Sequence, residues 1–173
     1  MNKKIKIPPL VAASFALLLL PAGCNTRSSD TTSSESTTDI RKEIQLTDLT
    51  GQKIDLAQYE GKTIFLNFWA TWCRPCIEEM PSIASAKKQF NESDIVFLFA
   101  SDEEIERIES FEKKNQLGLT YVQVANFNDL NIQALPTTYI INAHGELAFS
   151  ETGYRKWDDA TNLHLIQNII NNK

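Results

Sequence analysis

The chain has 173 residues, of which 42% are apolar, 9% aromatic and 23% charged, a composition typical of a folded globular protein rather than a disordered or fibrous one. Its 17 basic and 22 acidic side chains give a formal net charge of −5, which argues against a nucleic-acid-binding protein, because such proteins carry a basic face. Three cysteines are too few for a small fold held together by disulfides, and a chain of this length can bury a core without them.

The first residues are typical of an export signal. Three lysines precede an apolar stretch at 10–20, which is shorter than the roughly 20 apolar residues needed to span a bilayer. The stretch runs into Leu20-Pro21-Ala22-Gly23-Cys24, which resembles the lipobox of bacterial lipoproteins, although Pro21 stands where those proteins usually have an aliphatic residue. The resemblance implies that residues 1–23 are removed as a signal peptide and that Cys24 is lipidated. The alternative is a short membrane anchor that is not cleaved.

Residues 24–40 form a second region, which we expect to be a flexible tether. At 26–39, ten of the fourteen side chains are Ser or Thr, and none is apolar. Such a segment cannot bury enough surface to offset its conformational entropy. We therefore place the folded domain at residues 41–173 and expect it to be exported and held at a membrane surface by the lipid.

Strands alternate with helices in the predicted folded domain. Short alternating runs at 44–46 and 53–56 predict a hairpin, and the apolar run at 63–69 predicts a central strand covered on both faces. The remaining predicted strands are 94–100, 120–124, 137–141 and 146–150, of which the last two form a hairpin. The first predicted helix begins after Cys73, and the second runs from a capping box at 101–104 to about residue 116, with Gly118 beyond its end. The last predicted helix is 156–171, and a short helical turn is predicted at 128–133. This order indicates a single α/β domain with a mixed sheet.

The strongest functional signal is Cys73-Arg74-Pro75-Cys76, which lies directly after a predicted buried strand and opens a predicted helix. At a helix N-terminus, free backbone N–H groups and the helix dipole stabilise a thiolate at Cys73. Cys76 lies one turn further on, close enough to form a disulfide with Cys73 and to release a partner protein. In an oxidising compartment, such a dithiol is either kept reduced by another protein or oxidises others.

The sequence WATWCRPC at 69–76, followed about sixty residues later by Leu135-Pro136-Thr137, resembles the thioredoxin superfamily and in particular its membrane-tethered ResA/TlpA branch. The resemblance covers roughly residues 43–173 and implies a thioredoxin-like fold with an N-terminal hairpin and a helix-plus-strand insert. It also implies that Cys73 is the nucleophile, that Cys76 is the resolving thiol, and that Pro136 is a cis-proline facing them. The implied substrate-binding residues are Trp72, Arg74, Pro75, Leu135 and Thr137.

Glu79 is the candidate residue for tuning the two thiols. At 3.6 residues per turn it lies on the same helix face as Cys76 and Met80, whereas Glu78 points away. A desolvated carboxylate there disfavours a thiolate and can relay a proton to Cys76, and ResA-like proteins have a Glu at the matching position. The alternative is that Glu79 bends to solvent and only complements the helix dipole. Thioredoxins carry a buried Asp at the position of Asn67, so this strand supplies no carboxylate.

Other classes of protein fit the sequence less well. A structural zinc site needs about four ligands. This chain has no second cysteine pair, and its histidines, His144 and His164, are twenty residues apart, so we expect neither a metal nor a cofactor. A peroxiredoxin would have Thr three residues before its Cys, where this chain has Ala70. A lipoprotein that only binds a partner, without redox chemistry, is the alternative to an enzyme.

The resemblance therefore implies a membrane-tethered thiol–disulfide oxidoreductase that works outside the cytoplasm. The leading hypothesis is a reductant of exported protein disulfides, with apocytochrome c as its client and a membrane thiol carrier as its electron donor. The alternatives are a reductase for another exported enzyme, such as methionine sulfoxide reductase, and an oxidant that forms disulfides. We expect a monomer with no nucleic-acid partner.

Overall fold

The structure, a computed structural model, describes residues 39–172. The predicted signal peptide, Cys24 and the tether up to residue 38 lie outside the described residues. The strands are β1 (Leu46–Thr47), β2 (Lys53–Ile54), β3 (Thr63–Phe68), β4 (Ile95–Ser101), β5 (Thr120–Val124), β6 (Thr137–Ile141) and β7 (Leu147–Thr152). The helices are α1 (Arg74–Lys87), α2 (Ile105–Asn115) and α3 (Ala160–Asn171), and 3-10 turns lie at Ile40–Lys42, Leu56–Tyr59 and Phe127–Asp129.

The strands form one mixed sheet in the order β2-β1-β5-β4-β3-β6-β7. Strands β3, β4 and β5 are parallel, whereas β6 runs antiparallel to β3, β7 to β6, and β1 to both β2 and β5. This arrangement confirms the predicted α/β class with a mixed sheet. The β1–β2 hairpin, here called the front hairpin, lies at one edge of the sheet, and the β6–β7 hairpin lies at the other.

Strand β3 is the centre of the core, because all six of its residues are buried. Phe65 points to a core that α1, α2 and α3 cover, with Met80, Ile108 and Ile166 among their contributions. Its neighbours Ile64 and Leu66 point to a second core, which is closed by the front hairpin and the 3-10 turns instead of an α-helix. The apolar run thus becomes a strand with both faces covered, as the sequence predicts.

Two predicted helix boundaries are wrong, and each has a local physical cause. The capping box at 101–104 does not form, because β4 continues through Ser101, and the N-cap residue Glu104 makes no side-chain hydrogen bond to the helix. Glu104, the acidic residue of the predicted box, is thus the N-cap itself and does not lie in the first turn of the helix. The last helix begins at Ala160 and not at 156, because the side chain of Asp159 accepts a hydrogen bond from the Asn162 amide and caps the helix there.

Helix α2 ends within one residue of the predicted position near 116, although Gly118 does not form its cap. Its last residue is Asn115, and the C-cap Gln116 takes the left-handed conformation with φ of 48°. Gly118 lies two residues beyond that cap, in the link to β5. None of the helices within residues 39–172 is both long and apolar enough to cross a membrane.

Strand β3 joins two functionally different ends of the sheet. Its last residue leads to Cys73, and we call this the redox end. At the opposite end, here called the hairpin end, the amide of Ile40 donates to the carbonyl of Gly145 in the β6–β7 turn (3.0 Å). Gly145 is required there, because its φ is +89° and a Cβ would overlap the side chains of Asp39 and Arg41. The described chain therefore begins at the end of the sheet opposite to Cys73.

Candidate active site

Cys73 and Cys76 form a disulfide at the start of α1, with their Cα atoms 5.3 Å apart. Cys73 is the N-cap residue, and its sulfur accepts a hydrogen bond from the amide of Cys76 (3.3 Å). Helix formation therefore aims a backbone donor at the sulfur of Cys73, which favours the thiolate once the disulfide is reduced. Cys73 keeps 4% of its surface exposed and Cys76 none, so only the first sulfur is within reach of a partner protein.

Three of the predicted substrate-binding residues surround this disulfide at the surface. Trp72 is 70% exposed, which is unusual for a side chain of its size. Arg74 and Pro75 are exposed as well, and the guanidinium of Arg74 pairs with the carboxylate of Glu78 at 2.8 Å. This pair lies in solvent and directs Arg74 along the helix surface.

The loop before β6 brings a proline to the same region. The peptide bond between Leu135 and Pro136 is cis, and Pro136 is buried, with its carbonyl accepting a hydrogen bond from Gly153 (2.7 Å). Leu135 packs against the core that contains both cysteines, and it also lines an open groove of about 190 Å³ together with Trp72. The groove thus joins the two loops from which residues were predicted to bind a substrate.

Thr137, the remaining predicted substrate-binding residue, is turned inward. Its side chain is buried, and its hydroxyl bonds to the carbonyl of Ala134 (2.7 Å) and to the hydroxyl of Thr152 (3.0 Å). These bonds assign the hydroxyl of Thr137 to shaping the proline loop, so it is not available to contact a substrate.

Glu79 is fully buried one helical turn beyond Cys76, whereas Glu78 is exposed. Burial raises the pKa of Glu79 to about 7, although hydrogen bonds to its carboxylate from the amide of Arg155 (3.1 Å) and the side chain of Asn67 (2.7 Å) oppose the shift. The side chain of Trp157 opposes the shift as well, and all three donors are uncharged groups, so no cation holds the carboxylate in its ionised form. Glu79 can therefore gain or lose a proton close to neutral pH, the property that a general acid–base residue requires.

The sequence alone missed the residues that hold Glu79. From the sequence, Asn67 only marks the absence of the buried Asp that thioredoxins carry at this position. In the structure its side-chain nitrogen donates to Glu79 and also to the hydroxyl of Thr138 (2.9 Å). The position of Asn67 within the largely apolar run at 63–69 is a sequence signal, because a polar side chain in a buried strand needs a buried hydrogen-bonding partner. The amide of Arg155 has no sequence signal, because every residue except proline carries a backbone donor.

Comparisons with known proteins agree with this geometry. The model of the AhpC/TSA family matches residues 38–150. The thiol-disulfide oxidoreductase ResA of Halalkalibacterium halodurans is 36% identical over 113 residues, which are 62% of this chain and 64% of that protein. ResA of Geobacillus kaustophilus is 35% identical over 120 residues, or 66% of this chain and 68% of that protein. The chain thus spans roughly two thirds of the length of the curated relatives it matches.

Solved structures share the fold. A thiol:disulfide interchange protein of the thioredoxin family from Chlorobium tepidum has a TM-score of 0.61 and 20% identity, covering 73% of this chain and 92% of that one. StoA from Bacillus subtilis has a TM-score of 0.57 and 20% identity, covering 72% of this chain and 93% of that one. The described domain therefore has the thioredoxin-like fold that the sequence predicts.

Proposed function

The chain belongs to the AhpC/TSA family, and from this premise we propose that it is a thiol–disulfide oxidoreductase that reduces disulfides in exported proteins. One observation supports this proposal above all others. The Cys73–Cys76 disulfide opens α1 with Cys76 fully buried and 4% of Cys73 exposed, and a buried carboxyl group of raised pKa lies one helical turn beyond Cys76. The named activity of the ResA relatives supports the same reaction.

The proposed reaction starts from the reduced pair. The thiolate of Cys73 attacks one sulfur of a client disulfide, forms a mixed disulfide, and releases the other client sulfur as a thiolate that takes a proton from water. Cys76 then loses its proton and attacks the sulfur of Cys73. This step forms the Cys73–Cys76 disulfide and releases the second client sulfur as a thiolate, which takes a proton from water, so two electrons pass from the dithiol to the client.

Glu79 is proposed to take the proton of Cys76 in the second step. The two residues are one turn apart on the buried face of α1, where water cannot readily serve as a base. With a pKa of about 7, Glu79 is ionised in a sufficient fraction of molecules to accept the proton, and it returns the proton when the pair is reduced again. A membrane thiol carrier would supply the two electrons for that reduction.

We further propose the export and anchoring that the first residues indicate, with a signal peptide at 1–23, lipidation at Cys24 and a tether that leads to Asp39, the first described residue of the fold. The composition of residues 26–38 supports the tether, because it is rich in Ser and Thr and has no apolar side chain. Within the proposed function, apocytochrome c is the first client to test, and an exported methionine sulfoxide reductase is the second.

The test is to trap the mixed disulfide in cells. Full-length Cys76→Ser retains the nucleophile but cannot resolve the mixed disulfide, so we expect client proteins to accumulate bound to Cys73 and to be released by a reductant. The matched control is the double variant Cys73→Ser/Cys76→Ser, which should trap nothing. A folded and exported Cys76→Ser protein without any adducts would contradict the proposed roles, and recovery of clients other than an apocytochrome would replace the first client.

A further inference from the structure

The loop between β3 and the cysteine pair leaves the sheet, and its backbone needs new partners. The amide of Trp69 still donates to the carbonyl of Ala100 in β4 (3.0 Å), and the amide of Cys73 donates within the loop to the carbonyl of Ala70 (3.0 Å). Between them, the amide of Thr71 has moved beyond the last strand pairing of β3 with β4. A buried or half-buried amide without a partner would destabilise this loop.

The carboxylate of Glu103 supplies the partner that the sheet does not. One of its oxygens accepts from the amide of Thr71 at 2.6 Å, and the other accepts from the hydroxyl of Thr71 at 2.8 Å. The carboxylate therefore takes the place that a carbonyl of a continuing strand would have. Hydrogen bonds to an ionised oxygen are shorter and stronger than those between neutral groups, which agrees with the short distances.

Glu103 is itself held in place, unlike the acidic residues around it. Its side chain is only 9% exposed, and the hydroxyl of Ser101 and the guanidinium of Arg107 each approach the carboxylate at 3.3 Å. Its carbonyl accepts from the side chain of Gln123 (3.1 Å). Glu106, three residues further on, is exposed. Because Ser101 and Arg107 hold the carboxylate of Glu103, its hydrogen bonds to Thr71 can restrict the movement of the loop.

We propose that Glu103 is a positioning residue of the redox site, which acts by holding the loop that carries Trp72 and Cys73 in the conformation that meets a client. The inference rests on the proposed function, because positioning matters only if Cys73 exchanges with other disulfides. Glu103 touches neither sulfur and is not itself a reacting group. It fixes Thr71, two residues before the nucleophile, and so holds a negative charge against the loop that carries Cys73.

Two substitutions separate the hydrogen bonds of Glu103 from its charge. Glu103→Ala removes both bonds to Thr71. Glu103→Gln retains an oxygen that accepts from the amide of Thr71 and gains an NH₂ group that donates to its hydroxyl, so it keeps both contacts without the charge. The matched control is Glu106→Ala, which removes an exposed carboxylate three residues further on, in the first turn of α2. Each protein is compared as the full chain, under conditions where it is folded.

The rate of exchange of the reduced protein with glutathione disulfide is the first readout. We expect the exchange rate of Glu103→Ala to be about tenfold lower than that of the parent, which is the order of effect of breaking charge-assisted hydrogen bonds. We expect Glu103→Gln and Glu106→Ala to exchange as fast as the parent or faster. In Glu103→Gln the pH profile of Cys73 alkylation should move to lower pH, since a negative charge is lost while Arg107 and Glu79 are unchanged. A purely structural role would lower stability without moving that profile.

Hydrogen exchange of the Thr71 amide is the second readout, and it does not depend on redox activity. The amide should be protected in the parent and in Glu103→Gln but should exchange rapidly in Glu103→Ala. If Glu103→Ala does not fold, Thr71→Val removes only the hydroxyl bond and should still slow exchange at Cys73. An active parent with equally fast Glu103→Ala, or equal protection of Thr71 in both, would overturn the inference. Absence of exchange in the parent itself would instead overturn the proposed function.

Discussion

Two charged side chains are buried at opposite ends of the same sheet, and their surroundings differ. At the hairpin end, the guanidinium of Arg41 binds both oxygens of Asp39, at 2.8 and 3.0 Å, and this contact holds the pKa of Asp39 below its usual value. At the redox end, Glu79 faces the uncharged donors of Asn67, Arg155 and Trp157, and burial raises its pKa to about 7.

The difference separates a structural charge from a chemical one. A paired charge keeps its protonation state over the whole range in which the protein is stable, so Arg41 and Asp39 can only hold the chain in place. A buried carboxyl group without a cation titrates near neutral pH and can exchange a proton with a neighbouring thiol. Substitutions at the hairpin end should therefore change stability without changing redox chemistry, and Glu79 should affect the chemistry.

The largest expected effect is on the pH dependence of stability. Between its ordinary pKa of 4.5 and about 7, Glu79 keeps its proton in the folded protein but loses it in the unfolded chain. Its contribution to the free energy of unfolding is therefore complete below about pH 4.5 and is lost as pH rises through about 7, by about 3 kcal/mol in total. Urea unfolding of the oxidised protein at about pH 5 and about pH 8 measures this loss, which Glu79→Gln should abolish. The same pH dependence in both proteins would show that Glu79 does not titrate as described.

The exchange reaction should depend on the same residue. Glu79→Gln cannot accept the proton of Cys76, so resolution of the mixed disulfide should slow about 100-fold, as when a general base is lost. Stopped-flow measurement of client release from a preformed mixed disulfide isolates this step. Glu78→Gln is the matched control, because its side chain is exposed on the same helix and should leave the rate unchanged. Equal slowing by both substitutions would point to a change in the helix rather than to proton transfer.

At the hairpin end, Asp39→Ala should lower the stability of the protein and leave its redox properties unchanged. It leaves the guanidinium of Arg41 buried without an acidic partner, and the free energy of unfolding should fall by about 2 kcal/mol, less than for a wholly buried pair because Asp39 still reaches solvent. Replacing Arg41 by Met in the same protein should recover part of the loss. The reduction potential and exchange rate should not change. A shift in either would mean that the two ends are coupled through the sheet.

The smallest effect is expected at Arg74, although it lies between the cysteines. Its ion pair with Glu78 is exposed on both sides, so Arg74→Gln should change the free energy of unfolding by no more than about 0.5 kcal/mol. Chemical unfolding of the oxidised protein measures this change. A loss of several times that amount would show that the pair supports the start of α1.

The sequence predicts what depends on local pattern, and it misses what depends on distant contacts. The run at 63–69 and the spacing of Cys73 and Cys76 place the central strand, the helix and the disulfide correctly, because hydrophobic burial and helix geometry act over a few residues. The burial of Glu79 also follows from helix periodicity. Its donors do not, since Asn67 and Arg155 are 12 and 76 residues away along the chain. The capping box at 101–104 fails for the same reason, because Ser101 stays in β4, where it pairs with Gln123 of β5.

The most direct test of the central claim is the reduction potential of the Cys73–Cys76 pair, measured against glutathione from about pH 5 to about pH 9. The account predicts a value at or below about −250 mV at neutral pH, close to that of thioredoxin, so that the dithiol donates electrons to client disulfides. It also predicts a change in the pH dependence near the pKa of Glu79, about 7, that is absent in Glu79→Gln. A value near about −120 mV, that of a strong disulfide donor, would contradict the account and make the protein an oxidant.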